Sequence, residues 1–178
     1  MPDAAELLKH DHRQVESLFE RYRGGDRAVV KEICDELTLH TALEEELVYP
    51  LLPRVDGGEQ LRQEAEKEHQ EVKDAIKKIE QASSDSDIQQ PMQAIIDGVT
   101  HHVQEEENAV LPKMAEELGS ERMDSLGGQL IAAKRERQAE DTNLDDLSKP
   151  ELYEMAQAAN VNGRSNMTKD QLREALRS

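Results

Sequence analysis

The sequence predicts an all-α fold: an up-down-up-down four-helix bundle, then an extra helix and a small C-terminal helix-extended-helix module. Three observations carry this prediction. Apolar residues recur at steps of three and four through four successive segments, the period of an amphipathic helix. Glycine pairs, prolines and polar runs separate those segments by short intervals, so neighbouring helices must run antiparallel. With no Trp, one Phe and three Tyr, the chain lacks the aromatic supply of a sheet core and suits helices packed through Leu, Ile, Val, Ala and Met.

The first helix is expected over about residues 4–23, opened by Asp3 with Glu6 three positions on and stopped by Gly24-Gly25. The second runs from near Arg27 to Tyr49, started by Asp26 and ended by Pro50 and Pro53. The third follows Gly57-Gly58 and fades into the polar run SSDSD at 83–87. The fourth opens at the capping pair Asp87 and Gln90, takes Pro91 in its first turn and continues to about Leu111. Gly119-Ser120 then opens the extra helix, with Met123, Leu126, Leu130 and Ile131 on one side to pack across the bundle. At 178 residues there is room for one ordinary domain and an appendage. We divide the chain into a bundle with its following helix at 1–135, a linker at 136–141 and a small module at 142–178.

The apolar series decide which side chains face inward. In the first helix Ala4, Leu8, His12, Val15, Phe19 and Tyr22 share a stripe, and His10 falls outside it. The second gives Ile33, Leu37, His40, Glu44, Leu47 and Leu51; the third gives Leu61, Ala65, His69, Val72, Ile76 and Ile79. The fourth gives Ile88, Met92, Ile95, Val99, His102, Glu106 and Ala109, which leaves His101 and Glu105 outside, His101 being the alternative ligand there. Burying four imidazoles and two carboxylates without compensation would cost several kcal/mol for each ionised group. A shared metal site compensates all six at once. Six ligands exceed the four that a structural zinc takes, imidazole with carboxylate suits iron, and two carboxylates suit a metal pair sharing Glu44 and Glu106. The flanking acidic residues Glu45-Glu46, Glu105, Glu107 and Glu116-Glu117 read as solvated faces that help to attract cations.

A formal net charge of −17 opposes nonspecific attraction to nucleic acid and to anionic membranes. No apolar run approaches the roughly 18 residues of a membrane span, the N-terminus lacks a signal-peptide pattern, and the single Cys34 reads as a buried thiol in a reducing compartment. The expectation is a cytoplasmic protein with no membrane contact.

At these residues the sequence resembles the hemerythrin-like family, specifically its HHE cation-binding domains. The first helix has Asp11-His12, the second the HxxxE pair His40 and Glu44, the third Glu68-His69, and the fourth the HxxxE pair His102 and Glu106. The resemblance covers about residues 3–135. It implies a non-heme centre of two Fe ions per chain with an oxo or hydroxo bridge, ligated by His12, His40, Glu44, His69, His102 and Glu106. An open position for dioxygen, hydrogen peroxide or nitric oxide is implied as well. Oxygen-carrying members have a further histidine four residues after the first on the third helix, where this chain has Lys73, and a longer His-to-Asp spacing on the fourth. One iron is therefore expected to be short of a histidine; solvent or Tyr22 is a candidate for the gap, but Tyr22, on the apolar stripe of the first helix, is expected to pack in the core instead. That favours a catalase-like reaction with peroxide, in an oxidative or nitrosative stress response, over reversible oxygen storage. The alternatives are an iron, oxygen or redox sensor that signals through the C-terminal module, and a structural metal-binding bundle. Ferritin-type di-iron bundles need two Glu-x-x-His pairs, and only Glu66 with His69 fits that spacing.

From Thr142 the chain changes character. Ser148-Lys149-Pro150-Glu151 and Thr168 start two short helices. LSKPELYEMAQAANV, GRS and MTKDQLREAL are similar to small modules of SAP type and of the N-terminal part of transcription terminator Rho. A nucleic-acid or protein partner follows from that resemblance, with Arg164, Lys169 and Arg173 as the local basic patch. Five basic residues meet six acidic ones from 142 to 178, so this segment is close to neutral.

Overall fold

The computed structural model describes residues 2–141, 148–158 and 161–177. Helix α1 spans Ala4–Arg23, α2 Val29–Leu43, α3 Gly58–Glu80, α4 Asp85–Glu105, α5 Leu111–Leu118, α6 Ser120–Asp141, α7 Lys149–Ala158 and α8 Lys169–Arg177. Two compact units result, Met1–Arg135 and Glu136–Ser178. No helix among the described residues is long and apolar enough to cross a membrane.

In the larger unit α1 packs on α2 and α3 on α4. The first capping box forms: Glu6 N–H donates to Asp3 Oδ1 at 2.8 Å, and Asp3 N–H donates to Glu6 Oε2 at 3.2 Å. The fourth helix begins earlier than expected, because Ser84 rather than Asp87 takes the extended N-cap conformation. Asp87 instead reaches back as a first-turn acceptor for the Ser83 N–H and the Ser84 hydroxyl. Between 54 and 58 the chain turns so tightly that a Cβ on Gly58 would lie 1.8 Å from the Leu52 carbonyl oxygen. Only glycine fits there.

The α-helical register breaks at two places. After Leu43 the chain makes a π-helical turn, Glu44–Val48, then the 3₁₀ segment Tyr49–Arg54. After Glu105 it makes a second π-helical turn, Glu106–Val110, before α5. Each turn inserts one residue into the helical phase. The expected core positions Leu47 and Ala109 are consequently half-buried and exposed, and their successors Val48 and Val110 are buried instead. Pro112 does not break the run of helix; it falls in the first turn of α5, directly after the π-helical turn.

The larger unit's apolar residues form two clusters. One contains Phe19, Ile33, Leu37, Ile76, Ile95 and their neighbours. The other contains Leu8, Val48, Leu52, Leu111, Met114 and, from α6, Met123, Leu126 and Leu130. Along α1 the polar His12 lies between Leu8 of one cluster and Val15 of the other; His40, His69 and His102 lie between Leu37 and Leu43, Ala65 and Val72, and Val99 and Val110. The six inward polar residues therefore form a layer sandwiched by hydrocarbon. Cys34 is buried in the first cluster, and burial pushes its thiol up to about 11.

Residues 136–141, expected as a linker, are helical and complete α6; they contain no Gly or Pro and are rich in strong helix formers. In the smaller unit Leu152, Ala156 and Leu172 join α7 to α8. Thr168 and Gln171 cap α8 reciprocally. The connection is less extended than expected: Gly163 adopts a φ of 76° and Arg164–Asn166 form a 3₁₀ turn. The beginning of the predicted module, 142–147, and residues 159–160 lie outside the described residues.

Candidate metal centre

His12, His40, Glu44, His69, His102 and Glu106 are all buried. The one-turn spacing within α2 brings His40 Nε2 to 3.2 Å from Glu44 Oε1. Glu44 Oε2 reaches across to His69 Nε2 at 3.2 Å and His102 Nε2 at 3.8 Å. His12 Nε2 stands 3.1 Å from Glu106 Oε2, and His69 Nε2 stands 3.3 Å from His102 Nε2. Two overlapping donor groups result: His12, His40, Glu44 and Glu106; and Glu44, His69 and His102. In each, one ligand atom per residue lies within 4.8 Å of every other. Glu44 belongs to both groups and Glu106 to one, so the sharing is less symmetric than the paired motifs suggest.

Four of these six residues carry donor atoms with no hydrogen-bond partner. Nε2 of His12 and of His40, both oxygens of Glu44 and both oxygens of Glu106 are buried without a hydrogen-bond partner. The approaches near 3.1 Å bring such atoms together without hydrogen-bond alignment. Each orphaned polar group costs about 1–3 kcal/mol, and all of these point into common space. A bound cation removes the whole cost, so the residues present fit a metal.

The π-helical turns explain the placement. Glu44 and Glu106 are the first residues of their turns, and Glu45 and Glu107 the second. Glu106 meets His12 at Nε2 while Glu107 Oε1 meets its Nδ1 at 2.8 Å. Glu44 meets His69 at Nε2 while Glu45 Oε1 meets its Nδ1 at 3.1 Å. Each glutamate pair thus clamps one histidine of a neighbouring helix through both ring nitrogens. Glu68 does the same outer duty for His102, its Oε2 lying 2.8 Å from Nδ1. With Nδ1–H donating to a carboxylate, the Nε2 lone pair is left for the centre.

Sequence reasoning missed these outer partners. Glu45 and Glu107 were expected to be solvated; they are half-buried and engaged, and their adjacency to Glu44 and Glu106 was the available signal. Lys73 points away from any ligand role: its Nζ holds both oxygens of Glu45 at 2.6 Å. Tyr22 does not fill the gap either. It is packed in the first apolar cluster, with the Arg27 guanidinium 4.2 Å over its ring. Tyr49 stands at the centre instead, its hydroxyl 2.9 Å from His69 Nε2. His10 is exposed, and His101 and Glu105 face outward.

Burial opposes charge throughout the layer, and the neighbours decide the outcome. Burial depresses His12, but the Glu106 and Glu44 carboxylates outweigh it and raise the ring to about 8. His102, likewise depressed by burial, is raised to about 10 by Glu44 and Glu68. Against the cost of burial, the His40 charge and the close approach of the His102, His40 and His69 rings hold Glu44 well below the usual carboxylate range. Glu106 goes the other way: burial and the Glu44 charge raise it, with His12 opposing. Burial, reinforced by Glu44, keeps Tyr49 a neutral phenol. An apolar cavity lined by Val15, Leu37, Val72 and Val99 opens onto the four imidazoles.

In the smaller unit the predicted basic patch is partly engaged. Arg164 donates to the Val161 carbonyl at 3.0 Å, Arg173 pairs with Asp170 at 3.2 Å, and Lys169 is half-buried.

Comparison with known proteins adds two findings. The model of the hemerythrin HHE cation binding domain matches residues 3–114. A curated protein of Nostoc sp., described as a DNA nickase, is 30% identical over 135 residues, which cover 72% of this chain and 38% of that protein. The chain therefore spans well under half the length of this relative. No solved structure matches it.

Proposed function

The chain belongs to the hemerythrin HHE cation-binding domain family, and from that premise we propose that its buried layer holds two iron ions, joined by an oxo or hydroxo bridge, and reacts with peroxide or dioxygen. The observation that carries this reading is the convergence of buried donor atoms from four helices in two groups that share Glu44, with the atoms of His12, His40, Glu44 and Glu106 orphaned. His12, His40, Glu44 and Glu106 hold one ion; Glu44, His69 and His102 hold the other, with the Tyr49 hydroxyl at its edge. When bound, iron supplies one-electron redox chemistry and open positions for dioxygen, hydrogen peroxide or nitric oxide. The protein orients the rings through Glu45, Glu68 and Glu107. The apolar cavity favours small uncharged molecules over ions. Tyr49, kept protonated by its surroundings, offers a hydrogen-bond donor beside His69. The net reaction is disproportionation of two hydrogen peroxide molecules to dioxygen and two waters.

The test is anaerobic reconstitution with Fe²⁺, metal analysis, and optical spectra before and after peroxide, with dioxygen evolution followed by electrode. The expected result is two irons per chain, near-ultraviolet absorption that His102→Ala loses and His101→Ala keeps, and dioxygen release. Two bound metals with no redox response would instead identify a structural metal bundle. Metal-dependent protease protection within 142–178 would favour a sensor.

One observation favours a second reading. The Nostoc relative is described as a DNA nickase, and paired cations are suited to phosphodiester hydrolysis. In that case Arg164, Lys169 and Arg173 would serve DNA contact. Relaxation of supercoiled plasmid with Mn²⁺, lost in Glu44→Ala, would establish it; intact plasmid under those conditions would exclude it.

A further inference from the structure

The turns that point His102 and Glu106 inward carry a second donor set on their outer side. Glu68, His101 and Glu105 each place one ligand atom within 4.8 Å of the others. His101 Nε2 lies 3.6 Å from Glu68 Oε1 and 3.6 Å from Glu105 Oε1, beyond hydrogen bonding and with room for an ion between them. A cavity bordered by Glu68 and Glu105 of this set, but not by His101, reaches the buried layer. Exposed Glu64 and Glu105 and half-buried Glu68 line it, together with buried Tyr49, His102 and Glu106. Glu106, 2% exposed, borders that cavity with both carboxylate oxygens lacking hydrogen-bond partners. Glu68 joins the two sets: Oε1 faces His101, and Oε2 meets His102 Nδ1 at 2.8 Å.

We propose that Glu68, His101 and Glu105 form a surface entry site for a divalent cation and pass it through this cavity to the buried centre. The inference rests on the reading that the buried layer holds iron. One imidazole and two carboxylates, completed by water, suit Fe²⁺ or Mn²⁺. At 63% and 50% side-chain exposure, His101 and Glu105 form an open, weak site, which an ion in transit requires. The net charge of −17 concentrates cations around the chain, and Glu64 extends the acidic lining. No bond to carbon or oxygen changes and no electron moves in this step: the cation exchanges water for protein donors and then outer donors for inner ones.

Two measurements test the proposal. The first is Co²⁺ uptake by metal-free protein, followed by its visible absorption in a stopped-flow instrument. His101→Ala combined with Glu105→Gln should slow uptake about tenfold, the lower end of electrostatic focusing effects, with the final stoichiometry unchanged. Glu116→Gln, a charge change elsewhere on the surface, should leave the rate unaltered. Equal rates in wild type and double variant would overturn the route while the full stoichiometry upheld the buried centre. No Co²⁺ uptake by wild type would overturn both. The second is Mn²⁺ binding to Glu44→Ala, read by electron paramagnetic resonance. One weakly held ion should remain and should vanish when His101→Ala and Glu105→Gln are added; its persistence would overturn the outer site.

Discussion

Glu44 and Glu106 hold the same place in two copies of one motif, yet replacing each by glutamine should have unequal consequences in metal-free protein. Glu44 is fully buried, with imidazole nitrogens at 3.2, 3.2 and 3.8 Å. Although burial resists its charge, the His40 charge and the approach of three imidazoles hold it well below the usual carboxylate range, so it is the anion of the layer. Glu106 is pushed up by burial and by Glu44, with His12 opposing, so its charge is the less favoured of the two. Glu44→Gln removes the anion that, with Glu68, lifts His102 to about 10 against its burial. The expected loss is on the order of 3 kcal/mol, the usual cost of stripping one partner from a buried ion pair. Glu106→Gln removes the carboxylate whose charge burial and Glu44 oppose, and should cost less than Glu44→Gln.

Urea unfolding of metal-free protein, followed by circular dichroism, measures the difference, and pH tests its origin. The folded-state pKa of Glu44 is depressed, so its contribution is present above the unfolded value of 4.5 and is lost as pH falls. His12 and His102 are raised, so theirs is fully present below 6.5 and is lost as pH rises through about 8 and then about 10. Metal-free wild type should therefore be most stable between these limits, and its advantage over Glu44→Gln should shrink towards pH 10. Equal losses for the two variants, or a gap constant across that range, would refute the electrostatic assignment.

Metal content should follow the donor groups: Glu44→Ala loses both ions and Glu106→Ala about one, measured by elemental analysis after reconstitution. Metal uptake at pH 7 should expel about two protons from His12 and His102, seen calorimetrically in buffers of different ionisation enthalpy; release near zero would contradict their raised pKa values. Glu45→Gln frees the His69 ring from its outer partner and should weaken metal binding about 10- to 100-fold without unfolding the chain, read by competition with a chelator. Gly58→Ala places a Cβ 1.8 Å from the Leu52 carbonyl oxygen and should cost several kcal/mol in thermal unfolding, roughly 3 or more; an unchanged midpoint would show that the turn yields.

The four histidines were legible because the α-helical period holds on both sides of each one, so a polar residue in an apolar stripe is visible as an interruption. The same rule selected His102 and Glu106 over the adjacent His101 and Glu105. It failed where the period itself changed. In a π-helical turn residue i+5 takes the hydrogen-bonded place that i+4 has in an α-helix, and the Tyr49 N–H accordingly donates to the Glu44 carbonyl. Counting by α-helical steps puts Leu47 beside Glu44 and leaves Tyr49 off the stripe, so the phenol at the centre was not legible. Glu45 and Glu107 escaped for the same reason. A run of three glutamates resembles a solvated face until the turn is known to rotate its second member towards a neighbouring helix.

The two register breaks also account for how one layer can be both charged and buried. In unbroken α-helix, successive glutamates diverge around the axis, and one carboxylate at most reaches a given histidine. With the turn widened, the first glutamate meets Nε2 and the second meets Nδ1 of the same ring, on α3 in one case and α1 in the other. Apolar clusters on either side supply the greater part of the folding energy. The imidazoles and carboxylates can thus remain short of hydrogen bonds in the metal-free chain, sustained by a protonated His12 and His102. A cation entering the layer displaces those protons and satisfies the donors that the fold has already gathered, so the centre is built before its metal arrives.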